Sequence, residues 1–128
     1  DKNNLDGGIA DSIPFEKEQE LGCDKIIVVL TQPITYRKTK SSSFLFKLFY
    51  RNYPHLVKTL ENRYHTYNKQ VEEIIRLEKQ NKIFVIRPNV PLNIGRLERD
   101  ETKIRTVYEL GEKILETQIQ DLHKYLTS

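Results

Sequence analysis

Two short apolar runs limit the folds open to this chain more than any other feature of its sequence. The first is an uninterrupted series of large aliphatic residues at 26–30, Ile-Ile-Val-Val-Leu. Such a run is typical of a strand covered on both faces, as in the parallel sheet of an α/β protein. The second run, 83–86, has the same character and ends at Arg87-Pro88. With a short strand that ends at Leu5, these runs predict an α/β fold with a small, mostly parallel sheet of about three strands packed with helices.

Helical patterns occupy most of the remaining sequence and predict about four helices. A short helix is expected from Pro14 to Leu21, because proline suits a first turn and Gly22 can end it. Apolar residues recur at steps of three and four from His55 to about 80, which predicts a long one-sided helix. Packing within the domain is favoured for it over a coiled coil. The last helix follows Asp100, a good N-cap, and Gly111 in its middle suggests close packing against another helix.

The segment 44–50, Phe-Leu-Phe-Lys-Leu-Phe-Tyr, is apolar almost all the way round. A helix with this pattern is normally buried, so we expect it in the core. The alternative is a wall that faces lipid near an acyl-binding cleft, because aromatic patches also dock at interfaces. For the loop 89–99, the sequence leaves open a lid or a plain crossover.

The most function-like stretch lies near the start of the chain, at 4–14. An apolar residue there runs into Asp6, and Gly7 and Gly8 follow before a turn that Pro14 closes. Glycine permits unusual backbone conformations and the close approach of another group. In parallel sheets ligands bind beyond the carboxyl ends of the strands, so an aspartate at a strand end can project into a pocket. The plain alternative for Asp6 is a turn residue bonded to its own loop, and Asp11 is expected to cap that turn.

Five ordered stretches of the sequence resemble patatin-like phospholipases. They comprise the Asp-Gly-Gly region, the strand after it, a late strand and loop, and the start of the last helix, at 6–14, 21–31, 85–88, 94–100 and 108–111. The resemblance implies a lipid-degrading acyl hydrolase that works with a Ser–Asp dyad and no catalytic histidine. It makes Asp6 the catalytic aspartate, with Gly7 and Gly8 supporting its loop. It also implies a lipid or ester substrate, and we expect no cofactor.

The nucleophile of that family is missing from this sequence. The family serine lies in a Gly-x-Ser-x-Gly elbow, a strained strand-to-helix turn that needs flanking glycines. No serine here has them, whether Ser12, Ser41, Ser42, Ser43 or Ser128. We therefore expect residues 1–128 to be the C-terminal portion of a patatin-like phospholipase domain, inactive alone. Open strand edges in such a part also lead us to expect self-association.

The composition of the chain indicates which classes of partner and which cellular compartment to expect. The net charge of +3 is mild, so nucleic acid is not expected as a partner. The single cysteine, Cys23, excludes an internal disulfide and suits a reducing compartment. We expect a cytoplasmic location and leave peripheral membrane contact open. Cys23 itself is expected to be buried, because it lies beside an apolar run. His55 and His65 lack the spacing of metal ligands on one helical face, so no metal site is expected.

Two interpretations without catalysis stay open. The first is a membrane-surface or protein-interaction module that uses the basic and aromatic segment 36–53. The second is a structural half whose strands complete a sheet with another part of the protein.

Overall fold

The computed structural model describes residues 5–95 and 97–128. The short strand predicted to end at Leu5 lies, apart from Leu5 itself, on residues outside these ranges. Within them the chain is a small α/β fold with a two-stranded parallel sheet and four α-helices. In chain order, a 3-10 helix at Gly7–Ile9 is followed by α1 (Phe15–Glu20), β1 (Ile27–Val29), α2 (Ser43–Phe49), α3 (Pro54–Lys79), β2 (Phe84–Ile86) and α4 (Glu101–Thr127).

The two predicted apolar runs form the two strands, and they pair in parallel as expected. Val28 lies opposite Val85 in the register, with Ile27 opposite Phe84. The backbone N–H of Leu30 donates to the carbonyl of Ile86 at 2.8 Å, which closes the ladder at the carboxyl end. No third strand pairs with either edge in the described ranges, so the self-association expected from open edges stays a prediction.

One face of the sheet carries the core. Alternate strand residues point to it, as the period of two requires, and α1 and α3 cover them. The long helix therefore packs within the domain, as favoured from its apolar stripe. The buried cluster consists of Phe15, Ile26, Val28, Leu30, Ile74, Leu77, Ile83 and Val85.

The opposite face is only partly covered, which corrects the prediction of strands buried on both sides. Val29 remains 68% exposed on this face and Ile27 42%. Helix α4 is tied to the amino ends of the strands, where the Tyr125 hydroxyl accepts from the Ile26 N–H at 3.0 Å. No residue of α4 is fully buried. The apolar stripe of α4 therefore borders an open surface instead of closing a second core.

Two burial predictions are wrong. Helix α2 was expected in the core, but Phe44 and Phe49 are 70% and 75% exposed. An all-apolar pattern indicates that burial would stabilise a helix, but it does not show whether another element of the fold packs against it. Cys23 is exposed as well, because the buried part of its segment begins only at Ile26. In the described ranges, no helix has the length and apolar character needed to cross a membrane.

Candidate functional site

The loop that carries Asp6 is a short 3-10 turn, and Asp6 is its N-cap. The backbone N–H of Gly8 donates to Asp6 Oδ1 at 2.9 Å. The side chain is exposed, and the Oδ2 atom accepts no hydrogen bond from the residues that the structure describes. One carboxylate oxygen is thus held by the loop, while the other stays open to an approaching donor. The alternative of a turn residue bonded to its own loop describes this local geometry correctly.

The two glycines after Asp6 are not equivalent. A Cβ added to Gly8 would lie 3.3 Å from Asp6 Oδ1, closer than ordinary van der Waals contact. A Cβ on Gly7 would meet nothing within 4 Å. Gly8 is therefore the glycine that lets the carboxylate fold back over its own turn.

Helix α3 anchors this loop, through contacts that the sequence did not reveal. Arg63 Nε donates to the carbonyl of Gly8 at 3.1 Å. The buried side chain of Gln70 donates to Asp11 Oδ1 at 2.6 Å and to the carbonyl of Ile13 at 3.2 Å. The Asp11 side chain therefore holds the loop on α3. It makes this contact with a residue distant in the sequence, in place of the expected capping of its own turn.

The direction of α3 places the loop relative to the sheet. A tight turn joins α3 to β2, so the helix runs antiparallel to the strand and its early residues extend past the strand's carboxyl end. Arg63 lies eleven residues before the core residue Ile74, about 16 Å along the helix axis. The Asp6 loop thus lies toward the carboxyl ends of both strands.

An apolar groove of about 300 Å³ opens at the same end, on the α4 side of the sheet. It is lined by the strand ends and the first half of α4, and Thr31 and Arg87 are the polar residues among those that line it. Arg87 is engaged elsewhere, since its Nη1 lies 2.6 Å from Glu78 Oε1. The apolar walls come from Val29, Ile86, Leu92, Val107, Leu110 and Ile114. Asp6 does not line this groove, so the structure does not bring the predicted catalytic carboxylate into it.

Gly111 also lines the groove, and its predicted role in close helix packing is wrong. A Cβ at this position would meet nothing within 4 Å. The missing side chain leaves space in the groove wall instead of admitting a neighbouring helix.

Replacing Gly111 by alanine should raise the free energy of unfolding by about 0.5–1 kcal/mol, because alanine is the better helix former and the space is free. Gly22 is the matched control, since its φ of 74° lies in the left-handed region. Alanine there should cost about 1 kcal/mol. Urea unfolding of the two variants measures both effects, and a loss of stability in Gly111→Ala would show that the position is crowded.

A second cavity, of about 260 Å³, lies between the segment after β1, α2 and α3. Two cations line it, Lys38 and Arg63, together with the hydroxyl residues Ser41 and Tyr64. The Lys38 ammonium lies 4.0 Å from the ring centroid of Tyr67 and donates to Ser12 Oγ at 3.3 Å. Burial raises the pKa of the Tyr67 phenol. This basic cavity is suited to an anionic group.

The described ranges hold no group of three or more histidine, cysteine, aspartate or glutamate side chains placed to bind a metal ion.

These features define a small α/β domain with ligand-sized recesses toward the carboxyl ends of a parallel sheet. The chain belongs to the family described as a domain of unknown function, DUF6363, whose model matches residues 53–127. The match spans α3, β2 and α4, whereas the Asp6 loop, β1 and α2 lie before it. Comparisons with curated proteins and with solved structures gave no match.

Proposed function

We propose that this chain is the C-terminal part of a patatin-like lipid acyl hydrolase, in which Asp6 is the base of a Ser–Asp dyad. The observation that carries the proposal is the apolar groove at the carboxyl ends of β1 and β2. Ligands of open parallel sheets bind at this edge, and concave sites with apolar walls suit an acyl chain. The resemblance to patatin-like phospholipases supports the same assignment from the sequence.

The held carboxylate of Asp6 supports the role of base. To attack an ester, a serine hydroxyl must lose its proton as its oxygen bonds to the acyl carbon. The Gly8 N–H fixes Asp6 Oδ1, so the carboxylate has a defined orientation and Oδ2 is left to accept that proton. The serine and its oxyanion donors would come from another stretch of polypeptide, which an exposed Asp6 loop leaves room to approach.

The groove suggests where the substrate lies. A volume of about 300 Å³ is near the lower end for small-molecule sites, enough for part of an acyl chain. In this arrangement the groove takes the acyl tail, while the scissile ester lies at its rim, toward the Asp6 loop. The serine elbow must then bridge the two, because Asp6 is not among the groove residues.

The test compares two proteins on p-nitrophenyl butyrate. The 128-residue chain alone should not hydrolyse the ester above the buffer rate, because the nucleophile and oxyanion donors supply most of the barrier reduction. The encoded protein extended upstream through a Gly-x-Ser-x-Gly elbow should turn it over. Turnover by the chain alone that disappears in Asp6→Ala would contradict the proposal, as would an extended protein without activity.

A further inference from the structure

Helix α2 presents a continuous apolar face to solvent. It is held to α3 by its other side, where Phe46 is half-buried and Lys47 Nζ lies 3.2 Å from Glu61 Oε1. At about 100° per residue, the outward side chains span an arc of roughly 140°. They are Phe44, Leu45, Leu48 and Phe49, which are 70%, 53%, 58% and 75% exposed.

Two exposed tyrosines follow the helix. Tyr50 and Tyr53 are 39% and 52% exposed, and the Tyr53 N–H donates to the Tyr50 carbonyl at 2.8 Å. This bond closes a turn of the backbone directly after α2. Tyrosine has an apolar body and a polar tip, and it is enriched where proteins meet the headgroup layer of a membrane.

The segment that contains α2 is basic, although Lys47 itself is paired with Glu61 of α3. Between Leu30 and Leu60 the sequence holds six lysines and arginines and no acidic residue. The rest of the chain holds 15 basic and all 18 acidic residues, so it is net negative. The mild total of +3 therefore conceals a basic segment around α2. The basic cavity with Lys38 and Arg63 lies directly behind Phe46, which also lines it.

We infer that the α2 face docks on a bilayer containing anionic phospholipids. The four apolar side chains enter the headgroup–acyl boundary, the tyrosines lie at the headgroup level, and the surrounding cations face lipid phosphates. An apolar face bordered by basic residues is the pattern of interfacial helices. A second copy of the chain is a poorer occupant, because a symmetric contact would bring this basic segment against itself. This inference does not depend on the role proposed for Asp6.

The experiment measures partitioning of the full 128-residue chain onto sedimenting vesicles of phosphatidylcholine, with and without about a third of phosphatidylglycerol. Each basic residue near an anionic surface strengthens binding roughly fivefold. We therefore expect binding to the mixed vesicles at least tenfold stronger than to phosphatidylcholine alone, and a decrease as salt is raised. Replacing Phe44 and Phe49 together by glutamate should weaken binding about a hundredfold, because two exposed aromatic anchors are lost.

The matched control replaces Leu21 and Leu126 by glutamate. Both are exposed, at 65% and 45%, and both lie near the amino ends of the strands, far along the fold from α2. This pair makes the same change in net charge, and it should bind within about threefold of the unmodified chain. Equal losses in the two double variants would overturn the inference. Equal binding to both kinds of vesicle would also overturn it. So would the finding that the chain forms a dimer through α2 and does not bind vesicles. Because no hydrolysis is measured, failure here leaves the proposed acyl hydrolase function standing.

Discussion

If a serine elbow precedes this chain, as we propose, replacing Asp6 by asparagine in that longer protein should reduce ester hydrolysis by about a thousandfold. Asparagine has nearly the same shape, and its side-chain oxygen can still accept the Gly8 N–H that Asp6 Oδ1 accepts at 2.9 Å. The loop therefore keeps its conformation, but the amide cannot take the serine proton. The rate of p-nitrophenyl butyrate hydrolysis, measured as kcat and KM separately, should show the loss in kcat.

Asp11→Asn is the control for this prediction. Asp11 lies in the same loop, and its oxygen accepts from the Gln70 amide at 2.6 Å. Asparagine preserves an acceptor there, so activity should stay within a few-fold of the unmodified protein. If hydrolysis survives in Asp6→Asn and is lost in Asp11→Asn, the base is Asp11 and the role proposed for Asp6 is wrong.

Replacing Ile74 by alanine should lower the free energy of unfolding by about 3–4 kcal/mol. Ile74 is 0% exposed and belongs to the cluster that joins α3 to both strands. Removing its side chain loses the burial free energy of three carbon atoms and leaves a cavity between layers that relax only in part. Urea unfolding followed by far-ultraviolet circular dichroism measures the change.

Ile75→Ala is the matched control on the same helix. Ile75 is only partly buried and lies outside the core cluster, so the same truncation should cost about 1 kcal/mol. A similar cost at both positions would mean that the α3 face turned toward the sheet is not the main core of the fold.

The strands and the long helices could be predicted from sequence because their signals are local. The β-branched run at 26–30 needs only its own neighbours to favour a strand, and the Asp100 cap acts on the next turn, where it accepts from the Thr102 N–H at 2.9 Å. Burial of whole elements is not local. Helix α2 and Val29 are apolar by sequence, yet their exposure depends on what packs against them.

The candidate site shows the same division. Asp6, Gly7 and Gly8 could be singled out because a short motif carries them. The hydrogen bonds that tie their loop to α3, from Arg63 to Gly8 and from Gln70 to Asp11, join residues more than fifty positions apart. The groove likewise brings together residues from β1, β2 and α4, and no single stretch of sequence predicts that they meet. The basic character of the segment around α2 could have been recognised from the sequence, because the segment between Lys25 and Leu60 contains no acidic residue. The mild net charge of the whole chain concealed it.

The most direct test of the proposed Ser–Asp dyad is the rate at which a fluorophosphonate probe modifies the serine of the proposed longer protein. The probe bonds to the serine oxygen only as the proton leaves, so the rate reports the base without a complete catalytic cycle. We expect labelling of the unmodified protein and of Asp11→Asn at similar rates, and labelling of Asp6→Asn that is about a thousandfold slower. Equal labelling rates in Asp6→Asn and the unmodified protein would contradict the assignment of Asp6 as the base.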